Sequence, residues 1–176
     1  AVLFWVTLGP RPDIEAAAMT MRFEFKIAEA LLLAATAVAL SLRLAQPGAG
    51  TGLQKLVLAS APALLAVAVM AELFILPASQ WESKLVGSMS VVCLTAIPLL
   101  SLPLLAAMLL ALRQGAPIAR GTAGAVAGLV AGGLAAALYG IQCIDDSPLF
   151  VATWYTIAIG MVTILGAVLG RRLLRW

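Results

Sequence analysis

Five long apolar runs, at about residues 27–45, 56–76, 88–112, 122–143 and 148–170, dominate this chain, with only short polar turns between them. Each is close to the roughly 20 residues that a helix needs to cross a bilayer core about 30 Å thick. No alternating strand pattern competes with them. A mean hydropathy of +1.08 and a charged fraction of 11% exclude a soluble globular surface. The expected fold is therefore all-α, a polytopic transmembrane helical bundle that embeds in the lipid bilayer.

An apolar stub, "AVLFWVTL", precedes these runs at 1–8 and is too short to cross. It follows no basic stretch and precedes no small-residue cleavage site, which argues against a secretory signal peptide. The polar "GPRPD" after it looks like the exit from a span. The expectation is six spans, the first truncated in this chain, forming a single transmembrane domain over 1–176 with an upstream segment missing.

Lys and Arg in short loops favour the cytoplasmic side. Arg171, Arg172 and Arg175 then put the C-terminus inside, together with Arg43, Lys55, Arg113 and Arg120. Arg11, Arg22, Lys26 and Lys84 fall outside, as do Asp13, Glu15, Glu24, Glu82, Asp145 and Asp146. The net charge of +3 thus sums a basic inner face and an acidic outer one, and is no sign of nucleic-acid binding.

The run "GTAGAVAGLVAGGLAAALYG" places Gly124, Gly128, Gly132, Ala136 and Gly140 at four-residue spacing. Small residues so arranged let a second helix backbone come close in lipid. Packing within the monomer and a dimer contact both remain open, as does contact with partner helices in a larger membrane complex. Pro62, Pro98 and Pro103 each remove a backbone donor inside a span, bending it without implying a mechanism. Glu29 and Glu72 lie near the outer ends of their spans, within reach of water, and suit interfacial anchoring or a proton or cation path. Lys26, three residues before Glu29, is at a spacing where helical side chains meet.

The turn "LYGIQCIDDSPLF" gathers Cys143, Asp145 and Asp146 just before Ser147 and Pro148. Ser followed by Pro suits an N-cap with proline at the first helical position, and the two carboxylates suit the positive end of the helix that follows. Cys93 and Cys143, the only cysteines, both belong to the outer half of the membrane. A disulfide requires Cα atoms about 4.4–6.8 Å apart, which spacing in sequence cannot establish. Cys143, at a helix C-terminus beside two carboxylates, is not where a thiolate nucleophile is favoured. Inert packing, a reversible disulfide and a metal-responsive pair all stay open.

With no His and no CxxC, an ordinary zinc site or a thioredoxin-like couple is not expected. The chain also lacks a phosphate-cradling loop with Lys, HExxH and a GxSxG elbow. No enzyme activity, cofactor or resident metal is expected.

Two stretches go further: "VVCLTAIPLLSLPLL" around Cys93, and "ALYGIQCIDDSPLFVATWY" with the terminal "GRRLLRW". Together with "LGPRPD" they resemble the NrsF family, integral inner-membrane anti-sigma factors of bacteria that restrain extracytoplasmic-function sigma factors. The resemblance implies a cytoplasmic N-terminal segment, absent here, that holds the sigma factor. It also implies a membrane part that releases the sigma factor on oxidative or metal stress. Cys93 and Cys143 match the family's cysteine positions as sensing residues, and Asp145, Asp146, Ser147 and Pro148 match its outer-turn motif. Many members have His where this chain has Gln142, a departure that bears on the signal sensed. The rival reading from the residues alone is a small structural or accessory subunit of a larger membrane complex. A thiol oxidoreductase is disfavoured by the lack of a vicinal cysteine pair.

Overall fold

A computed structural model describes residues 9–46, 50–115 and 119–174. The stub at 1–8, expected as a partial span, lies outside the described residues, as do Arg175 and Trp176 of the terminal motif. The described residues are all-helical, and five helices are long and apolar enough to cross a membrane.

Helix α1, Met21–Leu44, starts at Thr20, whose hydroxyl accepts from the Phe23 amide at 3.4 Å. Glu24 in its first turn and Arg43 in its last complement the helix dipole. Helix α2 runs over Gly52–Ile75 with a break at Ala59. The break lies three residues before Pro62, whose ring nitrogen cannot donate to the Leu58 carbonyl one turn earlier. Helix α3, Ser90–Gln114, continues unbroken through Pro98 and Pro103, and the Ser101 hydroxyl donates to the Pro98 carbonyl at 2.6 Å. Helices α4, Arg120–Gly140, and α5, Pro148–Leu173, complete the bundle. A π-helical turn, Val151–Tyr155, interrupts the first part of α5.

The boundaries differ from the sequence reading in two informative places. A 3-10 turn at Ala78–Gln80 and a short helix at Trp81–Val86 fill the connection between α2 and α3. Trp154 fastens that connection by donating its indole N–H to the Leu85 carbonyl at 2.8 Å. The run expected to end at 143 is helical only to Gly140: the Ile141 and Gln142 amides bond three residues back, to the Leu138 and Tyr139 carbonyls at 3.2 and 3.0 Å, and so tighten the last turn. Cys143 therefore sits in the turn beyond α4.

Helix α4 is the axis of the fold: 67% of its apolar window is buried, against 11% for α2. Its glycines explain how neighbours come so near. A Cβ on Gly128 would lie 2.6 Å from the Val162 carbonyl oxygen of α5, and one on Gly132 would lie 3.1 Å from Ile159 Cγ2. Gly124 faces Gly166 and Gly170 in the same seam. Gly140 turns instead to α1, where a Cβ would meet Ile27 Cδ1 at 2.7 Å. A four-residue step overshoots a 3.6-residue turn by about 40°, so the stripe winds around the helix and serves two partners.

Candidate functional site

Charged and polar side chains from several elements meet at the turn between α4 and α5. Ser147 caps α5, accepting from the Leu149 amide at 3.2 Å, with Pro148 as the first helical residue. Glu72 of α2 reinforces the cap: its Oε2 accepts from the Ser147 hydroxyl at 2.7 Å and from the Leu149 amide at 3.2 Å. Arg22 lies 3.2 Å from the other oxygen of Glu72. Buried Glu72 is thus an anchor among helix ends: Oε2 is hydrogen-bonded at the α5 cap, whereas Oε1 has the Arg22 ion pair and no hydrogen bond among the described residues.

Neither aspartate serves the α5 terminus in the way the sequence suggested. Asp145 reaches the start of α3, accepting from the Ser88 and Met89 amides at 2.9 and 2.8 Å. No side chain of the residue preceding α3 caps it, so Asp145 supplies from a distance what a local cap supplies elsewhere. Gly87 makes the approach possible: its φ is +59°, and a Cβ there would lie 2.8 Å from Asp145 Cγ.

Asp146 receives two cations. Lys26 of α1, fully buried, donates to its Oδ1 at 2.5 Å, and Arg11 donates to its Oδ2 at 2.8 Å. Both cations also reach the Cys143 carbonyl, Lys26 at 2.8 Å and Arg11 at 3.4 Å. Lys26 is therefore committed to the turn and not to Glu29, despite the favourable helical spacing. The Phe23 ring lies 5.3 Å from its ammonium. Arg11 is held a third way, by its amide donating to the Ile141 carbonyl at 3.2 Å. Asp13 clamps the guanidinium at 2.7 and 2.8 Å, which holds the Asp13 carboxyl below its ordinary value and Arg11 above its own. The segment "GPRPD" is in this way strapped across the turn.

Behind the turn, Cys93 and Cys143 are free thiols, both fully buried. They share one apolar cluster with Tyr139, Phe150 and Tyr155. The Tyr139 and Tyr155 rings are 5.9 Å apart, and Phe150 meets Tyr155 edge-on at 6.2 Å. The Cys143 thiol is 3.8 Å from the Asp145 carbonyl oxygen. Gln142, at the position where the family resemblance pointed to His, buries an Oε1 without a hydrogen-bond partner among the described residues. No three His, Cys, Asp or Glu side chains among the described residues are grouped to hold a metal ion. Sequence reasoning missed the involvement of Arg11, Lys26 and Glu72, which lie far from the turn in the chain. Their one visible signal was charge at the ends of apolar runs.

These features define an all-helical protein with, among the described residues, five helices long and apolar enough to cross a membrane, and with a network of buried polar contacts at the turn between α4 and α5, next to two buried thiols. The chain belongs to the NrsF family, described as "Negative regulator of sigma F", whose family model matches residues 1–176. It is 42% identical over 66 residues to the anti-sigma-F factor NrsF of Caulobacter vibrioides, covering 38% of this chain and 31% of that protein. It is 33% identical over 84 residues to the probable anti-sigma-F factor NrsF of Azospira oryzae, covering 48% of this chain and 39% of that protein. The matched segments thus span well under half of each relative. No solved structure matches.

Proposed function

We propose that this chain is the membrane part of an anti-sigma regulator in the bacterial inner membrane, with its C-terminus cytoplasmic. In this reading the turn between α4 and α5 faces outward, and Cys93 and Cys143 sense oxidative or metal stress as one unit. A segment upstream of Ala1 holds the sigma factor. Family membership and the names of the relatives support the regulatory role. The observation that carries the sensing role is the Cys143 carbonyl, which accepts from both Lys26 and Arg11. A modification of Cys143 that shifts its backbone must loosen α1 and the Arg11 strap together. The strap is the part of the turn assembly closest in sequence to the upstream segment.

The test is a reporter for the sigma-dependent promoter in cells carrying the full-length protein, with and without oxidant or divalent cadmium. If the thiols act as one unit, Cys93→Ser, Cys143→Ser and the double variant share one defect in induction. Normal induction in the double variant would remove the sensing role and leave the thiols as packing. Recovery of the protein only as a stoichiometric subunit of a large complex, with no effect on the reporter, would favour an accessory role.

A further inference from the structure

The most exposed large apolar side chains among the described residues are two methionines, Met19 and Met21, at 88% and 86%. They flank Thr20, which caps α1. The cap is complete without them: the Thr20 hydroxyl donates to the Ala17 carbonyl at 2.7 Å and accepts from the Phe23 amide. Ala17 and Phe23 are buried, so the apolar packing of this corner is made by other residues. Leaving a side chain of this size in water forgoes about 1.5–3 kcal/mol of burial. Glu15, Arg22 and Glu24, all exposed, lie close to the pair in the chain and mark the corner as a polar surface.

The other four of the six methionines have different surroundings. Met89 and Met108 are partly buried and pack against the core clusters. Met70 and Met161 are 52% and 42% exposed, but on α2 and α5, helices apolar enough to cross a membrane. The thiols of Cys93 and Cys143 are fully buried. Of the sulfur atoms among the described residues, those of Met19 and Met21 are therefore the first that an oxidant dissolved in water meets. A thioether also reacts without losing a proton, whereas a thiol must first become a thiolate.

We propose that Met19 and Met21 form a site of reversible oxidation by hydrogen peroxide. Each thioether sulfur attacks one peroxide oxygen, and a sulfur–oxygen bond forms as the oxygen–oxygen bond breaks. The sulfur gives up two electrons. The departing hydroxide takes the proton of the transferred hydroxyl and leaves as water, so one peroxide yields one sulfoxide and one water. A sulfoxide is a polar group that needs water around it, and both positions supply that. Oxidation there leaves the bundle intact, whereas the same change at Met89 or Met108 would put a polar oxygen against the core. Methionine sulfoxide reductases, one for each epimer, return the sulfoxide to the thioether. The site stands on exposure and chemistry alone and does not depend on the regulatory reading.

The experiment uses the full-length protein in lipid nanodiscs, treated with excess hydrogen peroxide and stopped with catalase at intervals. Peptide mass mapping follows the gain of one oxygen at each methionine, and maleimide labelling after unfolding measures the thiols that remain reduced. Met19 and Met21 are expected to oxidise about tenfold faster than Met70, Met89, Met108 or Met161, with both thiols still free when the two sulfoxides are complete. Unfolding in urea and dodecyl sulfate before the peroxide should bring all the methionine rates together, because the difference lies in exposure. The thermal midpoint should not move on oxidation, and the two reductases should restore both thioethers. The double variant Met19→Leu with Met21→Leu should unfold at the native midpoint and leave the rates at the other methionines unchanged. Oxidation of Met19 and Met21 no faster than that of Met70 and Met161 would overturn the assignment, as would earlier loss of the thiols or a rate difference that survives unfolding. A lowered midpoint, in the oxidised protein or in the double variant, would show that the pair packs and would overturn it equally.

Discussion

Asp145 accepts hydrogen bonds from the amide of Met89 at 2.8 Å, so the turn that precedes α5 also starts α3. The neighbouring Ser88 amide, at 2.9 Å, completes the cap. One carboxylate thereby binds two connections that are more than fifty residues apart in the chain. The same turn receives Lys26 of α1 and Glu72 of α2. Four of the five long helices are fixed relative to one another through this turn, and the fifth, α4, leads directly into it.

Replacing Asp145 therefore tests a helix cap supplied from another part of the fold. Asp145→Ala strands the Ser88 and Met89 amides and should lower stability in detergent by about 1 kcal/mol, the usual effect of losing a capping oxygen. Asp145→Asn keeps an acceptor and should lose much less. Denaturation midpoints of the two variants check the ordering. Equal losses would mean that charge, and not the cap, is what matters at 145.

The Lys26 and Asp146 pair should behave as a buried ion pair. Asp146→Asn leaves the fully buried Lys26 ammonium without its carboxylate, and breaking such a pair typically costs about 3–5 kcal/mol. Lys26→Met alone leaves Asp146 with Arg11 and should be milder. The double variant should recover part of the loss, giving a double-mutant coupling well above the error of the measurement. Additive effects would show that the two charges act independently.

The Arg11 and Asp13 contact gives this region a pH signature. Asp13 is held below its ordinary carboxyl value by Arg11, so its contribution is complete above about pH 4 and is lost as pH falls through the lowered value. Comparing the native chain with Asp13→Asn over pH 7 to pH 2 should show a difference in stability that vanishes at the acid end. A difference that persists there would contradict the sign.

The helices were legible in the sequence because each apolar run has the length a bilayer demands, and Pro148 after Ser147 marked the start of α5 to the residue. The partners of Asp145 and Asp146 were not legible. Adjacent carboxylates before a helix read locally as dipole partners, whereas the long-range geometry sends one to α3 and the other to Lys26 and Arg11. Lys26 misleads for the same reason: helical spacing points to Glu29, but rotation of α1 aims the ammonium at the turn. The segment at 78–86 reads as a simple connection because its apolar and polar residues follow neither period clearly over so few positions.

The sidedness proposed from the distribution of Lys and Arg can be tested directly. On a background lacking Cys93 and Cys143, single cysteines at Lys84 and Asp145 should react with a membrane-impermeant maleimide added to intact cells. Cysteines at Arg113 and Arg171 should react only after permeabilisation. Labelling at 171 from outside would invert the orientation and place the Cys143 turn in the cytoplasm.

The glycine seam between α4 and α5 supports the sharpest packing prediction. Gly128→Leu should damage folding far more than Leu129→Ala, although the two positions are adjacent. At 128 the new side chain would start 2.6 Å from the Val162 carbonyl and 2.7 Å from Thr163 Cα, backbone atoms that cannot move without parting the helices. In lipid no hydrophobic drive compensates for that separation, because association there rests on close contact. Leu129 is only partly buried at the edge of the core and borders an open groove between α1, α2 and α5, so truncating it removes fewer contacts. Overpacking a tight contact costs about 1–3 kcal/mol when side chains can yield, and a backbone contact should exceed that range. Retained helical content with a collapsed unfolding midpoint for Gly128→Leu is the expected result. Equal midpoints for the two variants would show that α4 and α5 do not depend on this approach.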